Sequence, residues 1–112
     1  MKNLMGIVWD RGYWHRNDLH QCIADFTLFK KPDLNIVDAY NVMMQNGPRG
    51  VSINDLVLMK SQIISTDIVA ADAAAAKLFG IEPEKVNYLK YAEMLKTGTL
   101  DLKKLSINRI TI

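Results

Sequence analysis

The chain of 112 residues holds one cysteine, three prolines and no long apolar run. A single cysteine excludes an intrachain disulfide framework and denies a thiolate-held zinc or iron–sulfur site its ligands. The two histidines, His15 and His20, are five positions apart, which is not the i, i+4 spacing of a helical metal pair. Charge of one sign is missing too: 14 Lys and Arg stand against 12 Asp and Glu, a net charge of +2. Without a basic stripe, no nucleic-acid partner is expected. No segment approaches the roughly 18 apolar residues of a membrane span. The opening Met1 to Asp10 has one lysine and only a short apolar patch, too little for a secretory signal. The expectation is a cytoplasmic protein with no membrane partner and no metal. What is present is an ordinary globular mix, 49% apolar and 23% charged, enough to offset ordering entropy. The length allows one domain, and self-association would add burial to so small a core.

Gly6 and Gly12 interrupt the first segment, which reads as a short apolar element followed by a loop to Arg16. Asn17 is placed to cap a helix over 18–29, with Leu19, Cys22, Ile23 and Phe26 at helical spacing and Pro32 as the stop. Residues 33–44 alternate with period two and carry apolar side chains on both faces, as in a strand packed on both sides. Asn46-Gly47-Pro48-Arg49-Gly50 is the strongest turn, and a second strand is expected over 58–65. Asp67 caps an alanine-rich helix over 68–79, with Gly80 just past its end. Pro83 opens another helix with a stripe of Val86, Leu89, Ala92 and Leu95, closed by Gly98, and a last strand runs from about Leu105 to Ile112. The expected fold class is α/β, a small mixed sheet with helices packed on it, in a single domain over 1–112.

Five positions invite chemistry. Asp67 lies where a strand's C-terminal end meets a helix, the usual ligand crevice of α/β sheets, and helix capping explains it equally. On the capping reading Asp67→Asn is nearly free and Asp67→Ala costs about 1 kcal/mol. Asp72 is the one acid in an apolar turn, either a cation ligand or a partner for a buried donor. Asp38, on the face of Leu34, Ile36 and Tyr40, either lines a site or ties the following loop down through backbone N–H groups. The turn at Asn46 and Gly47 resembles an anion cradle without the P-loop ending. His15 follows two aromatics in a loop, as a ligand, an acid–base group or a surface residue; His20 faces solvent. Cys22, on the apolar stripe, reads as an inert core thiol.

Several pieces occur together in one order: Lys2-Asn3-Leu4-Met5-Gly6, Tyr13-Trp14-His15, Ile23-Ala24-Asp25, and Lys31-Pro32-Asp33-Leu34 with Ile36-Val37-Asp38-Ala39. Asn46-Gly47-Pro48, then Ser65-Thr66-Asp67-Ile68-Val69-Ala70-Ala71-Asp72 and Leu78-Phe79-Gly80, complete the set. In this order and spacing they resemble the domain-of-unknown-function family numbered three hundred and sixty-two. The resemblance implies the C-terminal part of longer, iron–sulfur-associated proteins, so the domain is incomplete relative to the family. The cysteine-rich ferredoxin-like segment of those relatives is missing. A cluster is therefore expected only in longer relatives, with no cofactor in this chain.

The leading functional expectation is a ligand-binding or redox-associated module for a small molecule. Lys2, Asn3, Asn46, Gly47 and Asp67 are its ligand contacts, and His15, Asp38 and Asp72 its catalytic candidates. One competing reading is a metal- or carboxylate-dependent enzyme domain that needs a missing half. Another is a self-associating fragment. The apolar N-terminal segment with Met5, Ile7, Val8, Trp9, Tyr13 and Trp14 needs cover, so a homodimer burying Trp9 or Trp14 is expected.

Overall fold

Aspartates start the first two helices. Asp10 accepts the Tyr13 N–H and opens α1 (Arg11–Arg16), where the sequence suggested a loop. Gly12 does not prevent this, because one cap and one turn suffice for so short a helix. Before it, Lys2–Ile7 form a 3-10 turn that buries Met5. Asp18, and not Asn17, accepts the N–H groups of His20 and Gln21 at the head of α2 (Leu19–Phe29). The buried line of α2 is Ile23, Ala24 and Thr27; Leu19, Cys22 and Phe26 flank it, half-buried. Thr27 is tolerated there because its hydroxyl donates to the Ile23 carbonyl at 2.8 Å. The computed structural model describes residues 1–111.

The α/β class holds, with an antiparallel two-stranded sheet of β1 (Asn35–Met43) and β2 (Leu56–Ser65). Ile36 faces Ile64, Asp38 faces Gln62 and Ala39 faces Ser61, and the ladder is irregular between Ala39 and Asn41. Lys60, opposite this break, takes φ 48°. One face of the hairpin packs on α3 (Ile68–Leu78), through Val37, Ala39 and Ile63. The other face, expected to be packed as well, is open, with Ile36 60% and Ile64 61% exposed. β2 begins at Leu56, two residues before its expected start.

Helix α3 ends as its sequence indicates, with Gly80 at φ +70°. Pro83 sits in a separate 3-10 turn, Pro83–Lys85, and α4 (Asn87–Met94) starts after it. Leu89 and Ala92 are fully buried, and Val86 and Leu95 pack beside them. α4 ends four residues before Gly98, with Lys96 at φ 58°. Helices α2, α3 and α4 and the first 3-10 turn share one core, centred on Ile23, Val69, Leu89 and Ala92. The expected last strand is not formed: after a 3-10 turn at Leu102–Lys104, residues 105–111 are exposed and carry no strand pairing among the described residues. That expectation extended to Ile112, which lies outside the described residues. Trp14 is buried in its own chain, edge-on to Phe26 with ring centroids 5.4 Å apart, so it is not left for a subunit contact; Trp9 is fully exposed.

The two faces of α4 make the core assignment testable. Leu89→Ala is expected to lower the unfolding free energy by about 2 to 5 kcal/mol. Met94→Ala, on the exposed face, is expected to change it by less than about 0.5 kcal/mol. Urea unfolding followed by circular dichroism measures both.

Candidate functional site

Of the candidate site residues, His15, Asp38, Asn46, Gly47 and Asp67 line neither of the two clefts described below. His15 is exposed in the last turn of α1. Asp38 is exposed on the open face of β1, and its carboxylate accepts the Tyr40 N–H at 2.9 Å. It therefore braces its own strand and does not reach the loop. His20 is half-buried instead of solvent-facing, its ring stacked on Tyr88 with centroids 6.0 Å apart.

The carboxylate that shapes the Asn46–Gly50 turn is Asp55, which sequence reasoning passed over. It is buried and accepts the Val51 N–H at 2.6 Å, the Ser52 N–H at 2.9 Å and the Asn46 side-chain amide at 2.8 Å. Those donors hold its carboxyl below the usual carboxylate range, the Val51 N–H most of all. Within the turn, the Asn46 amide is thus engaged by the chain's own carboxylate, and the Gly50 N–H donates to the Asn46 carbonyl. The signal was present in Ser52-Ile53-Asn54-Asp55, a capping box in which Asp55 reaches back to the Ser52 N–H.

Asp67 caps α3 as expected, one oxygen accepting the Val69 N–H at 2.8 Å and the Ala70 N–H at 3.0 Å. Its second oxygen accepts the Thr99 N–H at 2.9 Å, from a loop 32 residues away. Gly98 lies so close that a Cβ there would collide with the Asp67 carboxylate. This, and not helix termination, is what requires glycine at 98. All the acceptor geometry of Asp67 goes to backbone, so the structure gives it a capping role.

Asp72 and Asn3 do share a cleft, of about 270 Å³, beside Leu4, Ile68 and Ala71. Four successive residues, Leu34 to Val37, form its opposite wall. Leu34 precedes β1, and Asn35, Ile36 and Val37 are its first three residues; successive strand residues point to opposite faces, so a cleft touching all three runs along the strand's edge near its start. β2 pairs with the other edge, which makes this the free edge of β1. Asp72 accepts the N-terminal ammonium of Met1 at 2.9 Å and keeps 19% of its side chain accessible. Burial first, and then the charge and hydrogen bonding of Asp72, push the Tyr88 phenol well above the ordinary tyrosine range. Lys2 is exposed beside the cleft's rim residue Asn3 and does not line the cleft.

A second, shallow groove of about 280 Å³ lies between Trp14, Cys22, Asp25, Phe26 and Phe29. Cys22 is half-buried, and burial, with the nearby charges of Asp25 and Asp18, pushes its thiol up. A raised thiol is a poor nucleophile at neutral pH. Among the described residues no three His, Cys, Asp or Glu side chains gather as a metal site. No described helix is long and apolar enough to cross a membrane.

The model of a family described as "Domain of unknown function (DUF362)" matches residues 1–77. No curated protein and no solved structure matches the chain.

Two acids give distinct outcomes. Asp67→Asn places an amide donor against the Thr99 N–H or loses the cap, so it is expected to cost about 1 kcal/mol instead of being nearly free. Asp67→Ala removes every acceptor and is expected to cost about 2 kcal/mol or more; urea unfolding of both variants is the measurement. For Asp55 the folded carboxyl is lowered, so its contribution is present above the unfolded value and is lost as pH falls through the folded one. The Val51 and Ser52 amides are expected to lose hydrogen-exchange protection on that acid descent, and to have lost it already at neutral pH in Asp55→Asn.

Proposed function

The chain belongs to this family, whose match spans 77 of its 112 residues, and from that premise we infer that it is a ligand-binding module whose site is the cleft on the free edge of β1. The carrying observation is that Asn3 and Asp72, named separately from the sequence, line one concave space with apolar walls. A ligand suited to it brings an apolar body to Leu4, Leu34, Ile36 and Ile68, and hydrogen-bond donors to the Asp72 carboxylate. Backbone groups on the unpaired edge of β1 offer further polar contacts. Lys2, exposed at the rim, adds a positive charge for an acidic group outside the cleft. The redox association implied by the family resemblance requires cluster ligands beyond these 112 residues, which bring only Cys22. The raised thiol of Cys22 favours binding over redox chemistry within the chain.

Amide chemical shifts test this reading. Short peptides and small primary amines, titrated into the isotope-labelled chain, are expected to give saturable changes clustered at Asn3, Leu34 to Val37 and Asp72. Asp72→Asn is expected to weaken the amines about tenfold, the loss of one charge-assisted hydrogen bond. Changes centred on the Asn46–Gly50 turn or on the Trp14 groove, with none at the cleft, overturn it.

A further inference from the structure

Two unsatisfied features of this chain fit each other. One is the edge of β1, with its row of unpaired backbone groups and the open face of Leu34, Ile36 and Asp38 beside it. The other is the segment 104–110, Lys-Leu-Ser-Ile-Asn-Arg-Ile, which alternates like a strand yet lies exposed. Residues 106–111 make no backbone hydrogen bond among the described residues. A strand is completed only by a neighbour, so an alternating segment without one stays irregular.

We propose that segment 104–110 of a second copy adds to the free edge of β1 as a parallel third strand, seated in the cleft. The inference rests on the cleft being the binding site. The register is set by charge and apolar match together. Arg109 beside Asp38 sets Ile107 beside Ile36, Leu105 beside Leu34 and Lys104 beside Asp33. Two opposite-charge pairs then bracket two apolar pairs, the side-chain pairing that stabilises a sheet. All six of Asp33, Leu34, Ile36, Asp38, Ile107 and Arg109 are exposed, and Asp38, with one oxygen on the Tyr40 N–H, keeps its second for Arg109. The Lys104 side chain, 74% exposed, makes a 3.5 Å contact to Asp101 that is readily exchanged, while its backbone N–H stays in the 3-10 turn on the Asp101 carbonyl. β2 is the wrong edge, because it carries Lys60 and no acid. Each chain carries both the donor segment and the acceptor edge. A two-fold axis therefore satisfies both at once and closes the assembly at two copies. Strand addition along an edge supplies main-chain hydrogen bonds for affinity and alternate side chains for specificity.

Light scattering of the full chain at micromolar concentration, with charge variants, is the test. The unchanged chain is expected to run at twice its mass. Arg109→Asp and Asp38→Arg are each expected to weaken the dimer about tenfold or more, by placing like charges opposite one another. Asp38→Arg combined with Arg109→Asp is expected to restore it. Both positions are exposed, so unchanged melting curves show that each variant is folded. Amines and peptides are expected to perturb the cleft more strongly in Arg109→Asp, where the segment is released. A monomer mass for the unchanged chain overturns the proposal, including one in which 104–110 gains exchange protection by folding onto its own β1. So does a dimer indifferent to both charge reversals, as one through the exposed Trp9 would be. If dimerisation fails while ligands still perturb the cleft, the module reading survives without this partner; if both fail, that reading falls as well.

Discussion

The Asp67 carboxylate is the tie on which the helical layer depends. One oxygen caps α3, and the other reaches the Thr99 N–H in the loop beyond α4. The same loop receives the Lys31 ammonium, which donates to the Thr97 carbonyl at 2.7 Å just past the end of α2. Glu93 completes it from α4, accepting the Thr99 hydroxyl at 2.9 Å and the Leu100 N–H at 3.0 Å. Three helices thus meet at one short loop, and glycine at 98 lets the loop approach the carboxylate. The hydrophobic centre of Ile23, Val69, Leu89 and Ala92 lies between the helices that this loop aligns. Burial supplies the larger share of the stabilisation, while the tie fixes the relative positions of the packed helices.

A common use of acids runs through the chain. Asp10, Asp18, Asp55 and Asp67 all turn their oxygens onto backbone N–H groups of turns and helix starts. A carboxylate occupied in this way is a poor candidate for substrate chemistry, since its lone pairs are already engaged. Asp72 is different. It faces a cleft, accepts an ammonium and stands near the Tyr88 phenol. It lies beside the apolar side chains of Leu4 and Ile68 in that cleft. Asp38 also accepts a backbone N–H, that of Tyr40, and does so on an exposed position of the open sheet face.

The hairpin carries an asymmetry with consequences. One face is covered by α3 and the other exposes the directly opposed Ile36 and Ile64. Two strands with one bare face are marginal alone and gain from a third. Asp55 ties the turn at the far end of the hairpin through the Val51 and Ser52 N–H groups, and β1 pairs with β2 along one edge alone among the described residues.

Local events were written in the sequence. The cap at Asp67, the glycine at 80, the turn at Asn46–Gly50, both strands and the alanine helix depend on residues within a few positions of each other, where short-range geometry decides. The membership of the chain in its family was likewise legible, from pieces in fixed order. Which face of β1 would be covered, which acid would hold the turn, why Gly98 is glycine and whether Leu105 onward would become a strand were settled only by tertiary structure. Each of those depends on groups brought together across the chain, as Thr99 is to Asp67 and Asp72 is to Met1. A helix closes its hydrogen bonds within itself, so its sequence suffices to announce it; a strand closes them on another strand, and 105–111 has the pattern without the partner.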